Sequence, residues 1–322
     1  MSEDVNSLLY GNDLFGQPNK PESRGKISDK FLLPPFTVLN AREGFWQDRK
    51  RMWQSIGIKS EVGRSKSLSY AIPLKAYSQD NMASEYYGEE AQSLNTSIFD
   101  PVLTEAAYTW FCPKGGTILD PFCGGSVRGI VASCLGYNYN GIDLRREQIE
   151  SNIEQGKAIC NQNVPNWICG DSTEIVPTVG ECDFVFSCPP YGDLEVYSDD
   201  PKDLSSMEYH TFVAAYKRII LKSCAKLRDN RFACFVVGDF RDKKGFYRGF
   251  TVDTINAFRE CGLELYNEAI LVTSVGSTSM RIDKQFEASR KMGKTHQNVF
   301  VFVKGDPKIA TQTIINSKKD GK

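Results

Sequence analysis

The 322-residue chain has no Cys-x-x-Cys pair and only two histidines, so its ten cysteines have no zinc-ligand spacing to serve and no metal centre is expected. No apolar run approaches the roughly 18 residues a bilayer crossing needs, so no membrane contact is expected. The opening segment, MSEDVNSLLYGNDLFGQPNK, has neither the basic nor the apolar region of a secretory signal, and none is expected. Charge of one sign is also missing. The 39 basic and 40 acidic residues leave a net −1, which excludes a broadly basic nucleic-acid coat but not a local basic groove. Cys123, Cys169, Cys188 and Cys234 sit in apolar, strand-like surroundings. These thiols suit a reducing, cytoplasmic setting better than disulfides.

What is present is ordinary globular material, 41% hydrophobic and 25% charged. Residues 1–30 are rich in Gly, Pro, Asn and Ser without an apolar period and read as a mobile or loosely packed lead. Residues 31–95 hold short apolar pieces and form an extension that is a lid, a packing layer or a nucleic-acid contact. From residue 96 to 306 short apolar runs alternate with amphipathic stretches. Thr117–Leu119, Tyr139–Ile142, Trp167–Cys169, Phe184–Phe186, Phe232–Val237, Leu263–Val272 and Val299–Val303 read as strands. Arg128–Leu135 and His210–Leu227 read as helices between them. Alternating βα units imply an α/β fold, a mostly parallel sheet with helices on both faces. The last two strands show no helix pattern between them, which favours antiparallel pairing there. Residues 307–322 read as a polar tail.

Two loops carry the chemistry. In the first, an apolar strand ends at Asp120, followed by Pro121, Phe122, Cys123, Gly124, Gly125 and Ser126 before a helix begins. Glycines there let the backbone approach a ligand, and the helix start offers N–H donors. About 20 positions on, the next strand ends in Asp143, suited to ribose hydroxyls. A third ends in Gly170-Asp171-Ser172. For Asp143 and Asp171 taken singly, helix capping is the alternative. In the second loop, a buried-looking strand ends in Ser187-Cys188-Pro189-Pro190-Tyr191. The prolines remove backbone donors, and Tyr191 adds a flat face on which an amide or nucleobase amine can rest.

In this order the motifs DPF-x-G-G, GID, GDS and PPY resemble the S-adenosylmethionine-dependent DNA amino-methyltransferases, which methylate cytosine N4 or adenine N6. The likeness spans Ser97 to Lys304 and is strongest to the stand-alone enzymes of phages and prophages. It implies a Rossmann-like class I methyltransferase fold, a seven-stranded sheet with an antiparallel final strand. It implies S-adenosylmethionine as cofactor, held by Asp120, Phe122, Cys123, Gly124, Gly125 and Ser126, with Asp143 on the ribose and Asp171 and Ser172 near the adenine. Ser97 opens the segment that helps hold the methionine carboxylate. Cys188, Pro189, Pro190 and Tyr191 fall on the catalytic tetrapeptide. Its partner is DNA with the target base flipped out, and a cognate nuclease of a restriction-modification pair is a further possible partner.

Two positions depart from the family pattern. Gly124-Gly125-Ser126 stands for G-x-G, and Cys188 replaces the Asp, Asn or Ser whose oxygen accepts from the amine. A thiol accepts weakly, which leaves Ser187 or a water as the second acceptor and leaves cytosine versus adenine open. Cys188 as a covalent nucleophile, as in C5-cytosine methylases, fits poorly, because proline follows the thiol instead of preceding it. The other readings are methylation of an RNA base or a protein amide, or a silent fold that binds DNA or a partner.

Three basic stretches are candidates for the nucleic acid. Residues 42–66 include Arg49, Lys50 and Arg51 with Phe45, Trp46 and Trp53 interleaved. Residues 281–296 include Arg281, Lys284, Arg290, Lys291 and Lys294. Asp239–Arg248 adds Arg241, Lys243, Lys244 and Arg248. The acidic Glu195–Asp203 stretch would repel phosphate.

Overall fold

The seven expected apolar runs are strands: β2 (Thr117–Asp120), β3 (Asn138–Asp143), β4 (Asn166–Cys169), β5 (Cys182–Ser187), β6 (Leu227–Val237), β7 (Leu263–Val272) and β8 (His296–Lys304). A computed structural model describes them, within residues 5–13, 16–19, 25–59, 99–161, 163–191, 202–273, 275 and 278–319, the side chains of 278–281 excepted. An eighth strand, β1 (Val38–Asn40), comes from the N-terminal extension and pairs in parallel with β7 at the sheet edge. Three residues are too few for a visible period of two, which is why the pattern misses it.

The strand order is β1-β7-β8-β6-β5-β2-β3-β4. Only β8 runs antiparallel to its neighbours β6 and β7; every other pairing is parallel. This is the Rossmann-like α/β sheet that the resemblance implies, mostly parallel with a reversed final strand and extended from seven strands to eight by β1. The chain builds β2, β3 and β4 outward, then returns to place β5 and β6 on the other side of β2. The strand order therefore reverses between β2 and β5, where open α/β sheets bind their ligands at the carboxyl ends of the strands.

Strand residues alternate between two cores, as the pleat requires. Phe184, Phe186, Phe232, Cys234 and Val236 face one layer, made of α4 (Pro101–Phe111), α5 (Val127–Cys134) and α6 (Arg146–Ile159). Val185, Ala233, Phe235 and Val237 face the other, made of α8 (Tyr209–Lys226) and α9 (Phe250–Glu260). On α8, Phe212, Tyr216, Ile219 and Ile220 form the apolar stripe that packs there. A short α7 (Ser172–Ile175) follows β4.

Three expectations change. The lead is not loose where it is described. Helix α1 (Val5–Tyr10) buries Leu9, and Arg49 Nη1 donates to Asn6 Oδ1 at 3.1 Å. A helix α10 (Thr278–Ser289) does connect β7 to β8, although antiparallel strands need no crossover. Its described side chains are largely exposed, so it carries no strong apolar stripe to read in the sequence. The tail from residue 307 is helical, α11 (Pro307–Lys319). Ala310 and Ile314, one turn apart, are buried with α4 and β6. Two more helices, α2 (Lys26–Phe31) and α3 (Gly44–Ser55), complete the described elements that matter below. Among the described residues no helix is long and apolar enough to cross a membrane, and all ten cysteines are free thiols.

Candidate active site

The carboxyl ends of β2, β3, β4 and β5 bring the predicted loops together, and their hydrogen bonds divide the predicted residues into two kinds. Asp120 does not face the ligand edge. It is fully buried and accepts four hydrogen bonds. Oδ2 takes Arg128 Nε at 2.5 Å and the Tyr139 hydroxyl at 2.7 Å, and Oδ1 takes the Ser187 hydroxyl at 2.5 Å and the Phe122 N–H at 3.3 Å. A carboxylate with this many donors has no capacity left for a ligand. Its role is to hold the loop, which corrects the expectation of direct cofactor contact. Ser187 is corrected likewise. It is fully buried, and its Oγ also accepts from Phe122 N at 3.2 Å, so its hydroxyl is not available to a target amine.

Arg128, on the buried face of α5, is one residue the sequence pattern did not reveal. Its Nη2 donates to the carbonyls of Phe122 and Cys123 at 2.6 and 2.9 Å. Its guanidinium lies 4.4 Å from the Phe99 ring centre. Burial alone would lower its pKa, but Asp120 beside it outweighs that and raises it further. An arginine within the otherwise apolar run VRGIVASC was the available signal, since such a charge is buried only with a partner. Arg128 and Asp120 thus fix the whole 120–123 turn from below. Cys123 and Ser126 are buried too. The Cys123 thiol is pushed well up by burial, its N–H donates to Ile142 O at 3.0 Å, and Ser126 Oγ donates to Gln155 Oε1 at 3.1 Å. Both shape the loop from inside, and neither side chain reaches the ligand edge.

The second group faces outward. Phe122 is half-buried, with its ring against Tyr216 and Phe235. Gly124 has φ +48, and a Cβ built there would meet nothing within 4 Å, so an open space lies over the turn. The left-handed φ explains the glycine. Gly125 beside it is half-buried. Asp143 at the end of β3 accepts from Gly124 N at 3.1 Å and from Arg145 N at 2.8 Å, one bond on each oxygen. Each oxygen keeps a lone pair for a hydroxyl. Burial raises the Asp143 pKa, opposed by those two N–H groups. Asn152, on α6, holds Gly124 O at 2.7 Å. Asp171 caps α7, its Oδ1 accepting from Thr173 N and Oγ1 at 2.8 Å each, so the capping alternative is realised for that oxygen. Ser172 is buried, and its Oγ donates to Pro121 O at 2.6 Å, tying β4 to the first loop.

At the end of β5, Pro189 is buried, while Cys188, Pro190 and Tyr191 are half-buried. Cys188 Sγ lies 3.8 Å from the Tyr191 hydroxyl, which also takes Gln297 Nε2 at 2.5 Å. Gln297 is a second residue missed by the sequence reading. It comes from the start of β8, which only the antiparallel return of that strand brings to this edge. Lys294 completes the rim. Its Nζ donates to Asp239 O at 3.1 Å, and both Nζ and Tyr191 Cε1 lie 3.7 Å from the position a Gly238 Cβ would take. Ser97 and the Arg281 side chain lie outside the described residues, as does most of the Glu195–Asp203 stretch. Asp203 itself is buried and caps the short turn at Leu204–Ser206.

The basic stretches separate as well. Arg49 is only 1% exposed and is paired with Glu105, which also accepts Trp53 Nε1 at 2.8 Å. Trp46 and Trp53 are buried in the core. Lys50 lies 3.6 Å from Asp100, the cap of α4, and exposed Arg51 pairs with Asp48. The expectation of a nucleic-acid contact at Arg49 with stacking tryptophans is overturned by their burial. Lys284 and Arg290 are exposed, Lys291 is half-buried, and they lie in the segment leading to β8 beside the active edge.

Among solved structures, TrmN from Thermus thermophilus is similar to this chain, with 14% identity over 64% of this chain and 49% of that one, and a TM-score of 0.44. This chain therefore spans about half the length of that protein. Magnesium protoporphyrin IX methyltransferase (ChlM) from Synechocystis PCC 6803 with bound SAM gives 12% identity, 60% and 71% coverage, and a TM-score of 0.39. A TehB-like SAM-dependent methyltransferase from Corynebacterium glutamicum ATCC 13032 gives 18%, 66% and 91%, and 0.40. No family model and no curated protein matches the chain.

Proposed function

We propose that the protein transfers a methyl group from S-adenosylmethionine to an exocyclic amine of DNA, cytosine N4 or adenine N6. The observation that carries this reading is the bond from Phe122 N to Ser187 Oγ at 3.2 Å, which joins the glycine loop to the residue preceding Cys188-Pro189-Pro190-Tyr191. A turn suited to a nucleoside and a turn suited to a planar amine thus stand side by side at the point where strand order reverses.

The residues fit the cofactor in part. Gly124 and Gly125 leave the space, Asp143 offers its lone pairs to the ribose hydroxyls, and Asp171 stands at the next strand end. Asp120, Arg128, Cys123, Ser126 and Ser172 support that cradle without touching what it holds. The cofactor supplies an electrophilic methyl on a sulfonium. The chain's own task is to position the amine and expose its lone pair, which is otherwise delocalised into the base ring. The Pro189 carbonyl accepts one N–H of the target amine and turns the nitrogen toward a tetrahedral form. Cys188 contributes a weak thiol acceptor, since Ser187 is spent on Asp120. The Tyr191 ring carries the base, fixed through its hydroxyl by Gln297. Bound there, the cofactor would supply the methyl carbon for the new bond to nitrogen and its sulfur would keep the carbon–sulfur electron pair, while the amine proton would leave past Pro189 and Cys188 to solvent.

The test is transfer from methyl-labelled S-adenosylmethionine to unmodified mixed DNA, digested to nucleosides and resolved by mass. Labelled N4-methyldeoxycytidine or N6-methyldeoxyadenosine is the expected result and decides the base. Tyr191→Ala and Pro189→Ala should each abolish transfer while cofactor binding persists, and full activity in either overturns the assignment. Label found only in RNA or protein moves the substrate. Cofactor binding with no acceptor of any class leaves a silent fold.

A further inference from the structure

Two basic stretches of the sequence meet beside this site and form one lip. The first is a hairpin, residues 239–249, closed by the Arg241–Tyr247 bridge. The second is the segment from α10 to β8. Residues 241–248 and 284–294 each contain four basic side chains and one acidic. A Cβ at Gly245, where φ is +96, would fall 2.4 Å from both Cε and Nζ of Lys291, so the lysine stem lies directly on the hairpin turn. Lys294 fastens the same segment to Asp239 O. The hairpin is rigid at both ends. Asp239 Oδ1 accepts from the N–H groups of Phe240, Gly249 and Phe250, and Asp242 Oδ1 accepts from Phe246 N at 2.9 Å. Both acids of the hairpin, Asp239 and Asp242, are therefore committed to its own backbone N–H groups, and four basic side chains outnumber them.

The lip also exposes apolar side chains at its tip. Phe246 is 71% exposed and Met292 73%, each adjacent in sequence to one member of the Gly245–Lys291 contact. Exposed apolar residues flanked by lysine and arginine on a preorganised turn match the chemistry of duplex DNA. The cations neutralise phosphates, and an apolar group enters a base step opened when a nucleotide leaves the stack.

We infer that this lip is the DNA-docking surface. Lys243, Lys244, Arg290 and Lys291 hold the phosphate backbone, and Phe246 and Met292 wedge the duplex beside the Tyr191 turn. The inference rests on the proposed reaction for its purpose, but its test reads binding separately. Wild type, Lys243→Ala/Lys244→Ala/Arg290→Ala/Lys291→Ala and Phe246→Ala/Met292→Ala would be compared for binding to a mixed-sequence duplex by fluorescence anisotropy across a salt series. S-adenosylmethionine binding reports intact folding. The charge variant should lose at least tenfold in affinity, and its log–log salt slope should flatten by about 3.6, at roughly 0.9 for each of the four phosphate contacts removed. The wedge variant should keep the salt slope yet transfer methyl to duplex at least tenfold more slowly, with transfer to heat-denatured DNA largely retained. Unchanged affinity and slope in the charge variant overturn the inference, as does wild type that binds no DNA. Equal loss on both DNA forms in the wedge variant removes the wedge. Wild type that binds through the lip but methylates no DNA overturns the reaction and leaves the surface standing.

Discussion

Helix α3 and the lip at 239–249 and 284–294 look alike as sequence and are opposites as structure. Both are basic with aromatic residues interleaved. In α3 the arginine at the centre, Arg49, turns inward to Glu105, and Trp46 and Trp53 fill the core. In the lip Lys243, Lys244 and Lys284 are exposed, Lys291 and Lys294 are half-buried, and Phe246 and Met292 are exposed. The difference is in the partners. Arg49 has a buried carboxylate from α4 to meet it, and α3 has another helix and α1 to cover it. Among the described residues, no ion pair joins Lys243, Lys244, Arg290 or Lys291 of the lip to a neighbouring element. Basic composition therefore does not reveal a nucleic-acid surface; what matters is whether the fold supplies a counter-charge.

The sharpest way to break this contrast is to remove the inward charge. Arg49→Met leaves Glu105 buried and unpaired and should cost about 3–5 kcal/mol. A drop in Tm on the order of 10 °C is expected at about 2–4 °C per kcal/mol, and the DNA salt slope should not change. Arg128→Met should cost about as much in stability, because Asp120 is equally buried, and should in addition weaken cofactor binding. Calorimetry with and without S-adenosylmethionine separates the two. Trp53→Ala should cost about 3–5 kcal/mol, whereas Phe246→Ala should stay within about 0.5 kcal/mol.

Gly245→Ala tests whether the lip is held as described. A side chain at positive φ costs about 1–2 kcal/mol and displaces Lys291, so DNA affinity should fall while cofactor affinity does not. Asp183, on β5 away from both regions, gives a pH control. Burial opposes its ionised form, but Thr117 N–H, Arg228 and Arg231 outweigh that and lower its pKa. Its folded pKa lies below its unfolded one. Its contribution, about 1 kcal/mol, is therefore present above about pH 4 and lost as pH falls through the folded value. Asp183→Asn should flatten the acid limb of a stability–pH curve and leave DNA binding untouched. The smallest effect is expected at Arg51→Ala, whose exposed pair with Asp48 should contribute less than about 0.5 kcal/mol.

The first loop shows how far a motif can be read. DPF-x-G-G located that loop and GID located its neighbour, and both lie where β2 and β3 end. The pattern could not say that Asp120 would face inward while Asp143 faced outward. Both end a strand, and one residue of register decides which side of the pleat a carboxylate takes. Asp120 meets Arg128, Tyr139 and Ser187 below the sheet edge, and those partners come from a helix and two other strands.

By itself the sequence determined the alternating α/β order, seven of the eight strands among the described residues, and the position of the two candidate loops at strand ends. These follow from local periodicity and turn chemistry, which act over a few residues. Only the tertiary structure decided the rest: that β1 joins the sheet, that α11 packs, that Arg49 and Arg128 are internal, that Gln297 steadies Tyr191, and that two distant basic segments form one lip. Each of these depends on a partner brought from far along the chain. Burial and counter-charge are properties of the assembled neighbourhood, not of the residue.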